Sequence, residues 1–376
     1  MTAVRGDKVA ILGAGAIGLA TAAVLADRGH RPAVWSPRGR SLVGMPPTSP
    51  LAATGALDGS WEITCAADLP TALSSADTII LALDANGHAD VMDAVAPLLQ
   101  PGTTVIIEAA HSLGAVYLSR LLHDRGIRLP VVSWSTAIAT AHRTGPLTVD
   151  IRTIRPRIDA AVMPGDMRDA GIATCRTLFG DRFATRTDAL AIALLSNCNP
   201  IFHVPVCLLN VSRVEHGETW APYGHTTPSV GRLMEALDRE RIAIGAAFGH
   251  EIHSVNEHFH RSFRIPLGSM AEMNATLFAA GRGPRGPRDI AHRYFAQDIS
   301  YGLVFAAAMA RSAGIAAPLH EATIDLASAA LGRDFTADNT LIPLLGLQGL
   351  DRDDVLKRAS EGYFPTTSQG NERPLP

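Results

Sequence analysis

A glycine-rich turn near the N-terminus constrains the fold more than any other part of the sequence. Gly13-Ala14-Gly15-Ala16-Ile17-Gly18 follows a short apolar run and opens an Ala/Leu-rich stretch with helical spacing. In this pattern the first glycine makes the tight turn, the second lets the backbone approach a pyrophosphate, and the third allows close helix–strand contact. Unpaired N–H groups at the start of the helix also favour an anion. The turn therefore predicts a dinucleotide-binding βαβ unit, with all six residues at the cofactor.

The first half of the chain alternates short apolar runs with helical stretches. The runs predict buried strands over residues 9–12, 33–35, 78–83, 104–107, 131–134, 147–154 and 160–163. The helical stretches cover residues 17–28, 90–99, 115–125 and 167–179. Such alternation is typical of an α/β Rossmann-type domain with a mostly parallel sheet, which we expect over residues 1–187.

The second half of the chain has a different pattern. Beyond residue 188 the strand signal disappears, and helical stretches follow over residues 232–248, 301–313 and 320–331. We therefore expect an all-α substrate-binding domain over residues 188–376, with a loose tail after about residue 364. A length of 376 residues fits two domains, because single cores seldom exceed about 250 to 300 residues.

The composition limits the classes of partner that we expect the protein to bind. The net charge is −3, so no global field favours nucleic acid or an anionic membrane, and small molecules are the expected partners. No apolar run is expected to reach the roughly 18 residues of a membrane span. Four cysteines without a C-x-x-C pair fit a reducing cytoplasm. The apolar helices could support a homodimer, although packing within one chain could use the same surface.

The end of the second predicted strand bears on cofactor choice. NAD-binding proteins normally have an acidic residue about 20 positions after the glycines, which binds the ribose hydroxyls. This chain has Ser36 there, followed by Arg38 and Arg40. A serine leaves room for a 2′-phosphate, and arginines offer it forked, charge-assisted hydrogen bonds. We therefore expect NADP(H) rather than NAD(H), although such arginines can also form an ordinary solvated loop.

Two short segments carry candidate catalytic groups. Asn199 and Pro200 are a good N-cap and first helical residue, which would place His203 in the first turn of a helix facing a cleft between the domains. Asp298 precedes a helix expected near residue 301. Taken alone, His203 could be a core residue and Asp298 a helix cap.

Together these segments carry a resemblance to the octopine/nopaline dehydrogenase family, the opine dehydrogenases. The chain resembles that family in the glycine turn and in four further segments, and the order of the N-P-x-x-H and R-Y-x-x-x-D pieces is fairly specific. The four segments are residues 142–146 (HRTGP), 199–203 (NPIFH), 293–298 (RYFAQD) and 330–335 (ALGRDF).

The resemblance implies a fold and an activity. It implies a Rossmann domain joined to a helical domain of the 6-phosphogluconate-dehydrogenase type, and an NAD(P)H-dependent coupling of a 2-oxo acid with the amine of an amino acid. It also implies that His203 is the general acid/base and Asp298 its orienting carboxylate. Arg293 would bind the oxo-acid carboxylate, and Asn199 the reacting carbonyl or imine nitrogen. Histidine suits the role because its pKa lies nearest neutral pH.

The chain departs from the family pattern in two places. Family members commonly have Glu-Asp-Val-Pro where this chain reads Gln297-Asp298-Ile299-Ser300, and residues 108–114 (EAAHSLG) lack an expected Asn-Pro-Gly run. The change beside Asp298 removes a charge and a proline and so bears on the amine-binding side. With both departures, an unusual amine or ketone stays open as substrate.

A histidine-rich segment raises the question of a metal. His250, His253, His258 and His260 have the spacing H-x-x-H and then H-x-H, which is not H-E-x-x-H. Because imine reduction by a nicotinamide needs no Lewis acid, we expect a solvated segment or a pocket wall, and no metal.

Two other functions remain open. A ketopantoate-reductase-like or hydroxyacid dehydrogenase has the same two-domain layout, but those families typically use a lysine in the helical domain. This chain has only Lys8 and Lys357 as lysines, and neither is placed for that role. A non-catalytic NADP-binding sensor would also have this fold, since the fold alone does not define function.

Overall fold

The computed structural model describes residues 7–39, 41–74, 76–196 and 198–364. Eleven strands in this part of the chain form one sheet. They are β1 (Lys8–Leu12), β2 (Arg31–Trp35), β3 (Thr48–Gly55), β4 (Gly59–Cys65), β5 (Thr78–Leu81), β6 (Thr104–Ile107), β7 (Val131–Trp134), β8 (Ala139–Gly145), β9 (Thr148–Ile154), β10 (Ile158–Met163) and β11 (Phe183–Thr185).

The sheet is mostly parallel, as predicted. Its strand order is β11-β10-β7-β6-β5-β1-β2-β4-β3-β9-β8. The central strands β7, β6, β5, β1, β2 and β4 pair in parallel, and antiparallel pairing occurs at β7–β10, β3–β4 and β8–β9. The order reverses at β1, so the crevice at the carboxyl ends of β1 and its neighbours is the expected ligand site of such a sheet.

Fifteen α-helices are present among the described residues. They are α1 (Ala16–Asp27), α2 (Leu69–Leu73), α3 (His88–Val95), α4 (Gly114–Asp124), α5 (Arg168–Phe179), α6 (Ala189–Ser196), α7 (Cys198–Leu208), α8 (Val211–Glu215), α9 (Pro228–Ala247), α10 (Val255–Phe263), α11 (Met270–Ala279), α12 (Arg293–Ala296), α13 (Val304–Ser312), α14 (Pro318–Leu331) and α15 (Arg352–Glu361).

Side chains of β1 alternate between two apolar cores, one on each face of the sheet. Val9 and Ile11 pack in the core that contains α1, whereas Ala10 and Leu12 pack in the core that contains α3 and α4. This follows from the two-residue period of a strand, because successive side chains point to opposite faces. A sheet covered on both faces explains why its strands are nearly continuous apolar runs.

The helical half is not a separate lobe throughout. Among the described residues no strand follows β11, which confirms the predicted change of structure. However, Val355 and Ala359 of α15 share a core with Val131 and Met163 of the sheet. The domain boundary at residues 187 and 188 stays a prediction, and the C-terminal helix packs back onto the first domain.

One expectation about helix length is wrong. The stretch Ala189–Leu208, which spans α6 and α7, is long and apolar enough to cross a membrane by length and composition. In the structure 94% of that window is buried inside the protein, where α6 and α7 pack in two different apolar cores.

Four strands lie outside the sequence prediction, namely β3, β4, β8 and β11. The β3 sequence contains Ser49, Pro50, three alanine or glycine residues and few β-branched side chains, and so reads as a loop. Its strand conformation depends on pairing with β4 on one side and β9 on the other, which is a tertiary effect. The remaining predicted elements occur with end shifts of a few residues.

Candidate active site

The glycine turn has the geometry that a bound pyrophosphate requires. Gly13 has a φ of +136°, and a Cβ there would lie 2.2 Å from the Ala82 carbonyl oxygen. A Cβ on Gly18 would lie 1.9 Å from the Gly13 oxygen, whereas one on Gly15 would meet nothing within 4 Å. Gly15 caps α1 without a side-chain hydrogen bond, so the helix N-terminus stays open to an anion. The residues present therefore fit a dinucleotide.

The residues predicted to select the cofactor lie beside this turn. The Gly13 N–H donates to the Trp35 oxygen at 2.8 Å, which places the end of β2 next to the turn. Ser36 is buried directly after β2, and Arg38 is exposed in the following turn. Arg40, the third predicted residue, lies outside the described residues.

Arg143 is a neighbour of the turn that the sequence analysis left without a role. Its guanidinium donates to the Ala14 oxygen at 3.1 Å and to the Ser41 oxygen at 2.9 Å, and so joins the glycine turn to the loop after β2. With Met45 and Pro146 it lines a cavity of about 480 Å³. The sequence signal was present in the segment HRTGP, where Arg143 is the second residue.

His203 and Asp298 meet, although 95 residues separate them in the sequence. His203 Nδ1 lies 2.7 Å from Asp298 Oδ2, and both side chains are buried. Because an ionised carboxylate can only accept, Nδ1 is the protonated nitrogen and Nε2 carries the lone pair. The structure thus brings together the two groups on which the predicted acid/base chemistry depends.

Asp298 is held by an irregular helix. It is the first residue of a π-helical segment, Asp298–Leu303, between α12 and α13. Such segments are rare and are frequent at functional sites. The preceding residue, Gln297, accepts a hydrogen bond at 3.0 Å from the Ala85 N–H, which fixes this segment to the Rossmann domain. The predicted helix start near residue 301 is therefore earlier and π-helical.

The two pKa values in the pair are set by burial and by mutual contact. Burial lowers the pKa of His203, and this outweighs the raising effect of the Asp298 hydrogen bond and charge. Burial acts to raise the pKa of Asp298, but the hydrogen bond to His203, the charge of His203 and the Arg293 guanidinium lower it below its usual value. The resting pair is therefore a neutral imidazole beside an ionised carboxylate.

Tyr294 holds the plane of the His203 ring, a contact that sequence reasoning missed. The two rings stack at 3.6 Å with an angle of 16° between their planes. On the other side of the site, the Arg293 guanidinium carbon lies 5.3 Å from the Tyr294 ring centre. Among the described residues no carboxylate lies within 4.0 Å of that guanidinium, so it can bind an incoming anion.

The helix that carries His203 begins earlier than predicted. α7 already includes Cys198, so Asn199 is not its N-cap and His203 is the sixth residue of the helix rather than part of the first turn. Asn199 lies four residues before His203 and is exposed. Residues four apart share one face of a helix, so the two side chains still lie on the same side of α7.

The segment between β6 and α4 is strained beside this cleft. Ala109, Ser112 and Leu113 all have positive φ values near 50°, which non-glycine residues rarely adopt. Ser112 donates to the Tyr301 oxygen at 2.7 Å, and thereby ties this segment to the helix of Asp298. This is one of the two segments in which the sequence departs from the family pattern.

Together these features define a class of protein. A dinucleotide cradle, a buried histidine–carboxylate pair and a free guanidinium are the parts of a two-domain nicotinamide-dependent dehydrogenase. Residues 186–331 match the family described as "NAD/NADP octopine/nopaline dehydrogenase, alpha-helical domain", and residues 8–111 match the N-terminus of NAD-dependent glycerol-3-phosphate dehydrogenase. The helical half of the chain thus matches the octopine/nopaline dehydrogenase family, which is the family that the sequence resembles in its motifs.

Proteins similar over nearly the whole chain agree with this family match. The opine dehydrogenase of Arthrobacter sp. (strain 1C) is 28% identical over 351 residues, which cover 91% of this chain and 95% of the relative. Octopine dehydrogenase, solved with NADH and L-arginine, has a TM-score of 0.73 at 17% identity and covers 98% of this chain and 100% of its own. Yersinopine dehydrogenase with NADP⁺ gives a TM-score of 0.69 at 18% identity, covering 94% and 97%.

Proposed function

We propose that this chain is an NADPH-dependent opine dehydrogenase, which couples the carbonyl of a 2-oxo acid with the amine of an amino acid to give a secondary amine. The family match of the helical half and the similarity to an opine dehydrogenase support this class of reaction. The observation that carries the proposal is the 2.7 Å contact between His203 and Asp298 beside the dinucleotide domain.

His203 moves the protons of the condensation. An amine reaches the site as an ammonium ion and must lose a proton before its nitrogen can bond to the carbonyl carbon. The neutral imidazole of His203, whose pKa burial lowers, accepts that proton through Nε2. Once the nitrogen has bonded to the carbon, it passes one of its protons to the carbonyl-derived oxygen, and the imidazolium returns the other. The oxygen then leaves as water, and the nitrogen lone pair forms the C=N bond of a protonated imine.

Asp298 restricts this proton transfer to one nitrogen of the His203 ring. Its carboxylate holds the Nδ1–H, so the ring exchanges protons only through Nε2. Its charge also stabilises the imidazolium while the proton is on the ring. When bound, the reduced nicotinamide supplies the hydride for the C=N bond.

Arg293 and Asn199 orient the carbonyl substrate. The guanidinium binds the planar oxo-acid carboxylate through two parallel hydrogen bonds. The Asn199 amide, on the His203 side of α7, hydrogen bonds to the reacting carbonyl or to the imine nitrogen. The carbonyl carbon is thereby held at the point that both the amine and the hydride must reach.

NADPH is the preferred cofactor in this proposal. The buried Ser36 leaves space at the ribose, and the exposed Arg38 supplies positive charge for a 2′-phosphate, together with Arg40. The solved structure of yersinopine dehydrogenase with NADP⁺ shows that this fold can hold the phosphorylated cofactor. A specificity constant for NADH equal to or above that for NADPH would contradict this preference.

We further propose a cytoplasmic homodimer. The four cysteines are free and buried, which suits a reducing compartment. Leu319 and Leu326, seven residues apart on α14, leave large apolar side chains exposed on one face of that helix. Light scattering of the purified chain would give the mass of a dimer, and a monomer mass would remove this part of the proposal.

The direct test is NADPH oxidation across a matrix of 2-oxo acids and amines, with product masses read by mass spectrometry. We expect oxidation that depends on both substrates and a product whose mass equals their sum less one water plus two hydrogens. Carbonyl reduction at a rate unchanged by amines would instead support a hydroxyacid dehydrogenase. Cofactor binding without turnover of any pair would support a sensor.

A further inference from the structure

Two histidines lie side by side at the start of α10, at positions where helices often have two apolar residues. Ser254 caps α10 and forms a capping box with Glu257. The residue before such a cap and the fourth helical residue commonly contact one another through apolar side chains, which fixes the angle at which the chain enters the helix. Here those positions are His253 and His258, with parallel rings whose centres lie 5.8 Å apart. The helix start therefore holds two imidazoles side by side.

Cys198 completes this pair from another helix. One ligand atom from each of Cys198, His253 and His258 lies within 4.8 Å of the other two. Cys198 is buried at the start of α7, five residues before His203, whereas the two histidines are half-buried and can be reached from solvent. We name these three residues the Cys–His–His cluster.

The imidazoles of the cluster are available as ligands. Burial is the main cause that lowers the pKa of His253, and it lowers the pKa of His258 to about 3, so both rings are neutral near pH 7. Within the described residues neither ring nitrogen of these histidines makes a hydrogen bond to protein. The two other histidines of the segment are occupied: His250 pairs with Asp188, and His260 Nδ1 bonds to the Ile265 oxygen.

Charges of both signs act on the cluster. Three guanidinium groups act on it, and three carboxylates act in the opposite sense; these are Arg155, Arg241 and Arg261, and Asp159, Asp238 and Glu257. Arg241 is itself held by Asp238 at 2.7 Å and donates to the His253 oxygen, which fixes the loop that carries this histidine. Burial raises the pKa of the Cys198 thiol to about 11, so the thiol is protonated in the metal-free chain. A bound divalent cation would displace that proton, and the resulting thiolate would offset one of its charges.

We propose that the Cys–His–His cluster is a binding site for a borderline-soft divalent cation of the Zn²⁺ class. One thiolate and two neutral imidazoles are the ligands that Zn²⁺ prefers, and three protein ligands leave a fourth tetrahedral position for water. The site is distinct from the acid/base pair, since among the described residues no member of the cluster bonds to His203 or Asp298. The expectation of no metal considered the four histidines together with Glu251 and Glu257, and omitted Cys198.

Cobalt binding to the metal-free, full-length chain tests the site without using enzyme activity. Co²⁺ is the probe, because a cobalt–thiolate bond gives a charge-transfer absorption that reports a cysteine ligand directly. We expect saturation at one equivalent and displacement of the signal by Zn²⁺. Cys198→Ser should abolish the charge-transfer band.

His253→Ala and His258→Ala provide a second test at half-buried positions, where truncation leaves the apolar core intact. Each should weaken Co²⁺ binding at least about 100-fold, since loss of residues that only support metal ligands already costs 10–100-fold. Cys207→Ser on the same helix and His260→Ala on α10 are matched controls and should bind like the wild type. Zn²⁺ should raise the melting temperature of the wild type and the controls only.

The proposal is overturned if the wild type shows no cobalt–thiolate absorption at one equivalent. It is equally overturned if both histidine variants bind Co²⁺ as tightly as the two controls. Either result leaves the reductive-coupling proposal untouched, because the measurement involves neither NADPH nor substrate.

Discussion

Two histidine sites lie along α7, and they differ in the partner given to the imidazole. His203 has a carboxylate 2.7 Å from Nδ1, so its ring is fixed in one tautomer and can exchange a proton through Nε2. His253 and His258 face a cysteine and each other, and among the described residues their ring nitrogens make no hydrogen bond. Burial is the main cause that lowers the pKa of both rings, so both are neutral near pH 7. The partner of a buried histidine therefore decides between proton transfer and ligation.

The same contrast holds for buried carboxylates. Asp298, with a histidine partner, has a lowered pKa, as described above. Glu108, directly after β6, is equally buried, and within the described part of the chain it accepts hydrogen bonds only from Thr21 and the Ile138 N–H. Burial raises the pKa of Glu108 to about 7. Without a cationic partner, a buried carboxylate is poised to hold a proton instead of ionising.

The largest expected effect is the loss of turnover in His203→Ala. We expect kcat to fall about 10²- to 10⁴-fold, the usual contribution of a positioned acid/base, while the Kd for NADPH stays within about 2-fold. Steady-state kinetics and fluorescence titration of the cofactor measure the two quantities. The exposed His216→Ala is the control and should match the wild type. Turnover that survives in His203→Ala would assign proton transfer to another group.

Glu108→Gln tests the contrast between the two buried carboxylates through the pH dependence of the free energy of unfolding. The raised pKa of Glu108 adds stability that is complete below about pH 4.5 and is lost as pH rises through about 7. A shift from 4.5 to about 7 corresponds to roughly 3 kcal/mol between those limits. Glu108→Gln cannot ionise, so its free energy of unfolding should fall less from pH 5 to pH 8 than that of the wild type.

Urea unfolding at pH 5, 6, 7 and 8 measures this difference. At pH 8 the variant should gain on the wild type by about 1 to 3 kcal/mol relative to pH 5. Glu215→Gln, at the exposed end of α8, is a control and should follow the wild type. Parallel stability curves for Glu108→Gln and the wild type would show that Glu108 does not change its protonation over this range.

Arg293→Lys gives a smaller effect on binding. Lysine keeps the charge but loses the two-point contact with a carboxylate, at a cost of about 1.5–3 kcal/mol for a charged hydrogen bond. We expect KM for the oxo acid to rise about 10- to 100-fold, with a smaller change in KM for the amine. The exposed Arg239→Lys serves as the control. An unchanged KM for the oxo acid would place the carboxylate site elsewhere.

The dinucleotide half could largely be predicted from sequence because its signals are local. Gly13, Gly15 and Gly18 lie within six residues, and the apolar runs of the central strands are continuous. The hairpin of β3 and β4 could not be predicted, since Pro50 and the small residues around it become a strand only through their neighbours in the sheet.

The helical half depended on long-range contacts. His203 and Asp298 were expected to meet because of the family resemblance, and the structure places them together. Tyr294 stacks on His203 through α12, a four-residue helix that no periodicity indicates. Cys198 and His258 are 60 residues apart, so spacing along the sequence could not group Cys198 with the histidines.

The pH dependence of kcat/KM for oxidation of the secondary-amine product, in the wild type and Asp298→Asn side by side, tests the acid/base pair most directly. In this direction His203 must be neutral, so the rate should fall below an apparent pKa lower than 6.5, because burial lowers the pKa of His203. The Asp298 charge raises that pKa, so Asp298→Asn should move the fall to lower pH. A fall that stays in place, or moves to higher pH, would contradict the pairing of His203 with an ionised Asp298.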